Sequence, residues 1–398
     1  MYPFGPPITR STFLFHVRPR IALAGRRWPS FRLYGVTGFL LAVVEAIILT
    51  KHLSLPYLVL AGIVGTTILT FLALAIVTKI LVGREQLTYY HHEFSVLVIA
   101  VLFLWLSKQP VLSYLDVIIL GLGLFLVCGR LGCLSVGCCH GRPWRWGTTY
   151  SEEHAREGFP SHLIGVRLFP VQAIESLAGL LIVIAGVAIL MRRAAPGSAL
   201  AWYVVSYGIV RFCLEFMRGD AERPYWLGFS EAQWTSLFLM ASIVWAECAK
   251  VLPFELWHFQ ATVGLAAAMI VVVLIRNFRK TPKHQLLHPR HIREVSEAVS
   301  LITRFSPKRP NYSGSHSMIH IAHTSLGIRI STGVVERGAT RVRHYTLSSE
   351  KNPLTTQAAR CLAQLILRLR CANGSAEVLQ GGQGVFHVLI ADGAGDQG

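Results

Sequence analysis

Eight long apolar runs punctuate this chain of 398 residues, and few architectures can accommodate them. A segment of about 18 or more apolar residues can satisfy its own backbone outside water only as a helix, and at about 1.5 Å per residue it crosses the hydrocarbon layer. The runs fall at Leu33–Thr50, Leu55–Val82, Glu93–Ser107, Val111–Cys128, Leu168–Met191, Ala199–Phe216, Thr235–Ala249 and Trp257–Ile275. Glu93–Ser107 is short and Thr235–Ala249 carries Glu247, so seven or eight spans are expected. With 53% hydrophobic and only 15% charged residues, and a mean hydropathy of +0.48, a soluble domain of this length could not hide its apolar surface. The expected fold class is an all-α polytopic membrane bundle of 7–8 transmembrane helices, followed by a small C-terminal soluble α+β domain. The first 30 residues lack an apolar core followed by a cleavage site, so no secretory signal peptide is expected.

The formal net charge of +17 is concentrated at the two ends. Residues 1–32 carry six arginines, five prolines and no acid, and are expected to lie loosely ordered at the membrane surface. Residues 276–398 carry 17 basic and 7 acidic residues, whereas the body between is nearly neutral. Basic flanks on a neutral membrane body fit contact with anionic lipid and the cytoplasmic face. No nucleic-acid motif accompanies the charge, so no nucleic-acid partner is expected. The organisation read from this is a basic segment at 1–32, a membrane body at 33–275 and a cytoplasmic α+β domain of unknown role at 283–398. "RNFRKTPKH" after Ile275 forms the basic stop. In the tail, "HIREVSEAVSLI" and "TTQAARCLAQLILRLRC" have helical spacing, while "SMIHIAHTSLGIRISTGVV", "ATRVRHYTL" and "GVFHVLIAD" alternate as strands. The closing "DGAGDQG" is expected to be disordered.

Charges inside the apolar body carry the functional signal, because each costs about 2.5–3.5 kcal/mol to insert. "YGIVRFCLEFMRGD" places Tyr207, Arg211, Glu215 and Arg218 at intervals of four, four and three, one face of a helix. "LFPVQAIES" brings Gln172 and Glu175 into a span, and Arg130 follows the uncharged run Val117–Cys128. One reading is a set of ion pairs that holds the bundle together. Another is a lipid-headgroup site: arginines in a low-dielectric bundle hold a phosphate bidentately while its acyl chains remain in the bilayer. An ion or small-anion transporter would also use buried arginines, but no internal repeat supports it.

Cys128, Cys133, Cys138, Cys139, Cys213, Cys248, Cys361 and Cys371 do not form a secreted disulfide pattern. The group Cys133, Cys138, Cys139 and His140 matches no standard zinc spacing, and two adjacent cysteines do not easily bind one ion. The expected role is close packing beside glycines, with no metal and no cofactor.

In order along the chain, "RLYGV", "GRLGCLSVGCCHGRP", "FPVQAIES" and "YGIVRFCLEFMRGD" resemble the prolipoprotein diacylglyceryl transferase family, in particular a branch with a GCCxGRP signature. The resemblance runs from about residue 32 to 250. It implies a transferase that moves the diacylglyceryl group of phosphatidylglycerol to the lipobox cysteine thiol of prolipoproteins and releases glycerol 1-phosphate. The implied partners are phosphatidylglycerol, prolipoprotein signal peptides and bilayer lipid, and the implied location is the bacterial cytoplasmic (inner) membrane. It assigns Arg130 to the signature arginine at the lipid, Arg211 to the second required arginine, and Tyr34, Gly132, Arg142, Glu175, Tyr207, Glu215 and Arg218 to substrate binding. His91 or His92 would be the base for the thiol. They stand in "TYYHHEFSVL", where the family has His or Tyr followed by two glycines. Cys133 replaces a usual Asn and Phe169 a usual His. An alternative is a catalytically altered homologue that binds anionic phospholipid and anchors the C-terminal domain. The family has seven spans, an outer N-terminus and a cytoplasmic C-terminus. The resemblance at Tyr34 favours an outer N-terminus, whereas the six N-terminal arginines argue for an inner one and eight spans.

Overall fold

The computed structural model describes residues 17–23, 25–82, 89–278, 283–305, 320–337, 340–370 and 375–391. A two-stranded hairpin, β1 (Arg20–Leu23) and β2 (Arg26–Pro29), opens it. Four long helices follow: α1 (Ser30–His52), α2 (Tyr57–Val82), α3 (Tyr89–Leu106) and α4 (Val111–Val136). A large loop carries β3 (Pro143–Thr148) and the short helix α5 (Glu152–Arg156). Then come α6 (Val171–Met191), α7 (Ser198–Glu215), the small hairpin β4 (Tyr225–Trp226) and β5 (Phe229–Ser230), α8 (Glu231–Cys248) and α9 (Leu256–Phe278). Five of the eight long helices, α1, α2, α4, α6 and α9, are long and apolar enough to cross a membrane. Length and composition therefore show a multi-pass membrane protein without fixing seven or eight spans.

Helix α4 is the hub of the bundle: most of its length is buried, and α1, α6 and α7 pack around it. Leu120 and Val117 of α4 share a core with Leu49 of α1, Val183 of α6 and Tyr203 of α7. One polar residue in α4 does structural work that its apolar neighbours conceal. The Asp116 carboxylate accepts hydrogen bonds from the backbone N–H groups of Gly197 at 2.7 Å and Leu200 at 2.8 Å, so α4 caps the N-terminus of α7. A second buried polar pair, Glu247 with His258, joins α8 to α9. Helix α4 also runs two turns beyond the apolar run that announced it. It stops at Gly137, whose φ of +84° is the left-handed conformation that closes many helices. Arg130 therefore lies within α4 and not at its end.

The C-terminal domain is built from α10 (Lys283–Leu286), α11 (Pro289–Phe305), α12 (Thr356–Leu369) and a five-stranded antiparallel sheet. The strands are β6 (Ile321–His323), β7 (Ile328–Arg337), β8 (Thr340–Ser349), β9 (Ala376–Gln380) and β10 (Phe386–Ala391), in the order β6-β7-β8-β10-β9. Val295 and Ile302 of α11 and Leu362 and Ile366 of α12 pack on Ile330, Leu347 and Val388 of the sheet. The α+β expectation holds, with β9 added. The "DGAGDQG" end and residues 1–16 lie outside the described residues.

One expectation is corrected. Residues 20–29 form an anchored hairpin rather than a loose segment: Arg20 Nε binds Glu157 at 2.7 Å, and the Ser30 hydroxyl donates to the Arg18 carbonyl at 2.6 Å. The N-terminal hairpin, the loop after α4, the loop after α7 and the C-terminal domain also share one end of the bundle. Tyr150, Phe159 and Leu168 belong to the same apolar core as α11 and α12. The Arg368 guanidinium stacks 4.7 Å above the Trp144 ring, and Arg290 donates to the carbonyls of Ala221 and Arg223. The described N-terminal hairpin and the C-terminal domain therefore lie at the same end of the helical bundle.

Candidate active site

The site lies where α4, α6 and α7 meet this crowded end. Pro170 opens α6, and Glu175 sits one turn in, so its carboxylate faces α4 and α7. It lies 3.1 Å from Arg130 Nε, 3.7 Å from Arg211 Nε and 3.9 Å from Arg218 Nη1, and Tyr207 Oη donates to it at 2.7 Å. One carboxylate thus gathers the three arginines picked out in the sequence. Arg211 also binds Glu215 at 2.6 Å, one helical turn on, and Arg223 approaches the other Glu215 oxygen at 2.5 Å. Arg218 Nε and Arg223 Nε both reach Asp220, at 2.7 and 3.3 Å.

Helix α7 ends at Glu215, so Arg218 is not on its face but in the turn that follows. The GCCHGRP segment holds that turn. Arg142 N–H donates to the Met217 carbonyl at 3.0 Å, Gly219 N–H to the His140 carbonyl at 2.9 Å, and Arg142 Nε to the Arg218 carbonyl at 3.1 Å. Gly141 is required by close approach: a Cβ there would lie 2.2 Å from the Phe169 carbonyl oxygen. Arg142 is therefore a brace for Arg218 rather than a member of the carboxylate-linked group. Gly132, two residues after Arg130 in α4, packs against Phe31 and Tyr34 of α1, and Tyr34 makes no hydrogen bond into the site among the described residues. His91 and His92 fall in the first turn of α3, and their side chains lie outside the described ones.

Burial decides what the cluster can do. Arg130 is 8% exposed, Arg211 2%, Arg218 0% and Glu175 1%. Four guanidiniums (Arg130, Arg211, Arg218, Arg223) face three carboxylates (Glu175, Glu215, Asp220), a formal excess of one positive charge. Burial lowers the Arg218 pKa, but Cys139 and Asp220 outweigh it and hold the group above its usual value, fully charged. Its Nη1 and Nη2 have no hydrogen-bond partner among the described residues, although both are sealed from solvent. Unpaired buried donors on a charged group are expensive, and an anion accepting from them offsets that cost. A cavity of about 70 Å³ lined by Leu97, Ile119, Tyr203, Gly208 and Leu239 reaches Arg211, so apolar surface adjoins the charge.

With this geometry in hand, the comparison with known families is direct: residues 30–248 match prolipoprotein diacylglyceryl transferase, more than half of the chain. The chain belongs to this family. The matched stretch holds every arginine and carboxylate of the cluster and stops at the end of α8, so the C-terminal domain lies beyond it. Among curated relatives, the chain is similar to phosphatidylglycerol–prolipoprotein diacylglyceryl transferase 2 of Clostridium perfringens, 31% identical over 143 residues that make up 34% of this chain and 50% of that protein. It is also similar to the phosphatidylglycerol–prolipoprotein diacylglyceryl transferase of Clostridium tetani, 28% identical over 140 residues, 34% of this chain and 53% of that protein. The chain thus spans about half the length of the curated relatives it matches.

Sequence reasoning identified Arg130, Glu175, Tyr207, Arg211, Glu215 and Arg218, and the structure joins all six. It missed Arg223 and Asp220 as partners, because a loop Asp and Arg three apart look like ordinary surface charges. It also gave no role to Gln172, whose Nε2 donates to the Cys138 carbonyl at 2.9 Å and so ties α6 to the signature turn.

Proposed function

We propose that this protein transfers the diacylglyceryl group of phosphatidylglycerol to the lipobox cysteine thiol of prolipoproteins and releases glycerol 1-phosphate, in the bacterial cytoplasmic membrane. The observation that carries this reading is the pair of buried Arg218 Nη donors, which make no hydrogen bond among the described residues, set among Arg130 and Arg211 in a cluster with excess positive charge. A phosphodiester supplies the missing acceptors, and the small apolar cavity beside Arg211 sets apolar surface next to the charge while the acyl chains stay in lipid. As the thiol attacks the glyceryl carbon, charge builds on the departing phosphate, where fixed guanidiniums in a dry site stabilise it most. Glu175 aligns the three arginines through ion pairs, and Tyr207 orients Glu175. His91 or His92, at the start of α3 on the same end of the bundle, takes the thiol proton.

The reaction also sets the orientation. A signal peptide keeps its basic segment at the cytoplasmic face, so a cysteine beyond its apolar region emerges on the outer side. The arginine site then faces outward, and the C-terminal domain, packed on the same end, faces outward with it. This replaces the cytoplasmic placement suggested by the basic stop after Ile275.

The test is to incubate the purified protein in phosphatidylglycerol liposomes with a synthetic lipobox peptide and analyse the peptide by mass spectrometry. A diacylglyceryl thioether formed by wild type, and not by Arg130→Ala, is the expected result. Lipid binding without product, where an active family member gives product, would favour the homologue that binds phospholipid only and anchors the C-terminal domain.

A further inference from the structure

Three thiols converge against the arginine cluster. Cys133 lies in the last turn of α4, Gly137 stops the helix, and the chain folds back with Cys139 at a φ of +55°. That left-handed conformation is unusual for a residue with a Cβ, and such backbone gathers at ligand clamps. It also overcomes adjacency: the sulfurs of Cys133, Cys138 and Cys139 all lie within 4.8 Å of one another. Cys133 is buried, Cys139 half-buried and Cys138 exposed, so the group has one open side. The turn is held by Gln172 on the Cys138 carbonyl and by Gly219 on the His140 carbonyl.

We propose that Cys133, Cys138 and Cys139 bind one thiophilic divalent ion of the zinc type, whose fourth position receives the acceptor thiol of the transfer. The ion site stands on the geometry alone; the role of its fourth position rests on the transferase reading. A tetrahedral site with metal–sulfur bonds of about 2.3 Å needs sulfurs about 3.8 Å apart. From within 4.8 Å, side-chain rotation closes the difference. An all-thiolate donor set selects zinc or a similarly soft ion over magnesium or calcium. Three thiolates around a divalent ion carry one net negative charge, which Arg130 and Arg218 offset. Three protein ligands and an open position are the pattern of a catalytic rather than a structural zinc.

The step balances without an oxidant or reductant. The acceptor thiol binds the ion and gives its proton to the histidine base. Its sulfur then forms a bond to the glyceryl carbon as the carbon–oxygen bond to phosphate breaks. The electron pair leaves on the phosphate oxygen, facing the arginines, which later takes up the proton. The neutral thioether is a weaker ligand than a thiolate and departs.

The experiment uses the full-length protein, reduced, stripped with a chelator and loaded with Zn²⁺ or Co²⁺. One ion per chain should be retained, with the charge-transfer and visible bands of four-coordinate, sulfur-bound cobalt. The ion should be lost in Cys133→Ser, Cys138→Ser and Cys139→Ser and kept in Cys213→Ser and Cys248→Ser. In wild type, where misfolding of a variant plays no part, the ion should protect these three thiols from maleimide. A lipobox peptide should shift the cobalt bands, and its Cys→Ser version should not. No stoichiometric ion, retention by the triple serine variant, or undiminished transfer by metal-free protein would overturn the proposal. Stoichiometric ion without transfer would instead overturn the transferase reading and leave the ion site standing.

Discussion

Glu175→Gln removes one charge from the centre of the arginine cluster while preserving the size of the side chain and an oxygen to accept from Tyr207. The carboxylate lies 3.1, 3.7 and 3.9 Å from Arg130, Arg211 and Arg218. At an effective dielectric of about 20, unit charges at such distances attract by roughly 4–5 kcal/mol each. Most of that attraction repays the desolvation of four buried ions, and the net loss on removing one partner of such a group is about 3–5 kcal/mol. The variant should therefore unfold at a clearly lower temperature than wild type when tryptophan fluorescence is followed in neutral detergent. A ligand that binds the folded form restores stability in proportion to its affinity. Phosphatidylglycerol brings an anion to the same guanidiniums, so adding it to the micelles should recover part of the loss, and phosphatidylcholine should not. An unchanged unfolding temperature would refute the role of Glu175 as the charge that gathers the arginines. Equal rescue by both lipids would refute the phosphate site.

Gly141→Ala should abolish lipid binding and transfer, because the new Cβ meets the Phe169 carbonyl oxygen at 2.2 Å and pushes the signature away from the turn of Arg218; pull-down on phosphatidylglycerol vesicles reads this. Asp116→Ala leaves the N-terminus of α7 uncapped in a buried setting and should lower stability by about 1–3 kcal/mol, seen in thermal unfolding, while replacement of the exposed Glu255 should have no effect. His154, His162, His291 and His344 all have pKa values pushed below the usual 6.5, in each case chiefly by burial. The folded state then binds fewer protons than the unfolded one, so their contribution is intact above about pH 7 and is lost as pH falls toward the folded values. Hydrogen exchange in α11 and in the loop after α4 should accelerate below about pH 6, and His291→Gln should reduce that dependence. A phosphatase that is active only outside the cytoplasm, fused after Gly398, should be active; an inactive phosphatase with a fluorescent cytoplasmic reporter would place the shared face inside.

The sequence already showed the helices and most of the site because both obey local rules. Apolar runs define α1, α2, α4, α6 and α9, and Tyr207, Arg211 and Glu215 share a face by helical spacing alone. The helices α11 and α12 and the strands β7, β8 and β10 also follow from periodicity. What local rules could not show depends on residues far apart in the chain. Asp116 looks like a stray acid until α7 begins 82 residues later against it. Arg218 looks like the next residue of a helical face, but the helix ends first and the signature loop repositions the side chain. The proximity of three sulfurs depends on a left-handed residue at Cys139, a conformation that sequence spacing does not announce. The hairpin at 20–29 is held by Glu157, and its six neighbouring arginines and prolines suggested no strand.

The central claim is that the carbons of the acylated glyceryl unit of phosphatidylglycerol, and not those of its headgroup glycerol, end on the thiol of a lipobox cysteine. The most direct measurement supplies phosphatidylglycerol deuterated on those carbons, together with a lipobox peptide, to the purified protein in liposomes, and follows the label by tandem mass spectrometry. The account predicts deuterated diacylglyceryl on the cysteine sulfur and unlabelled glycerol 1-phosphate in solution, with neither formed from a Cys→Ser peptide or by Arg218→Gln. Label that stays wholly in lipid, under conditions where an active family member transfers it, would contradict the account.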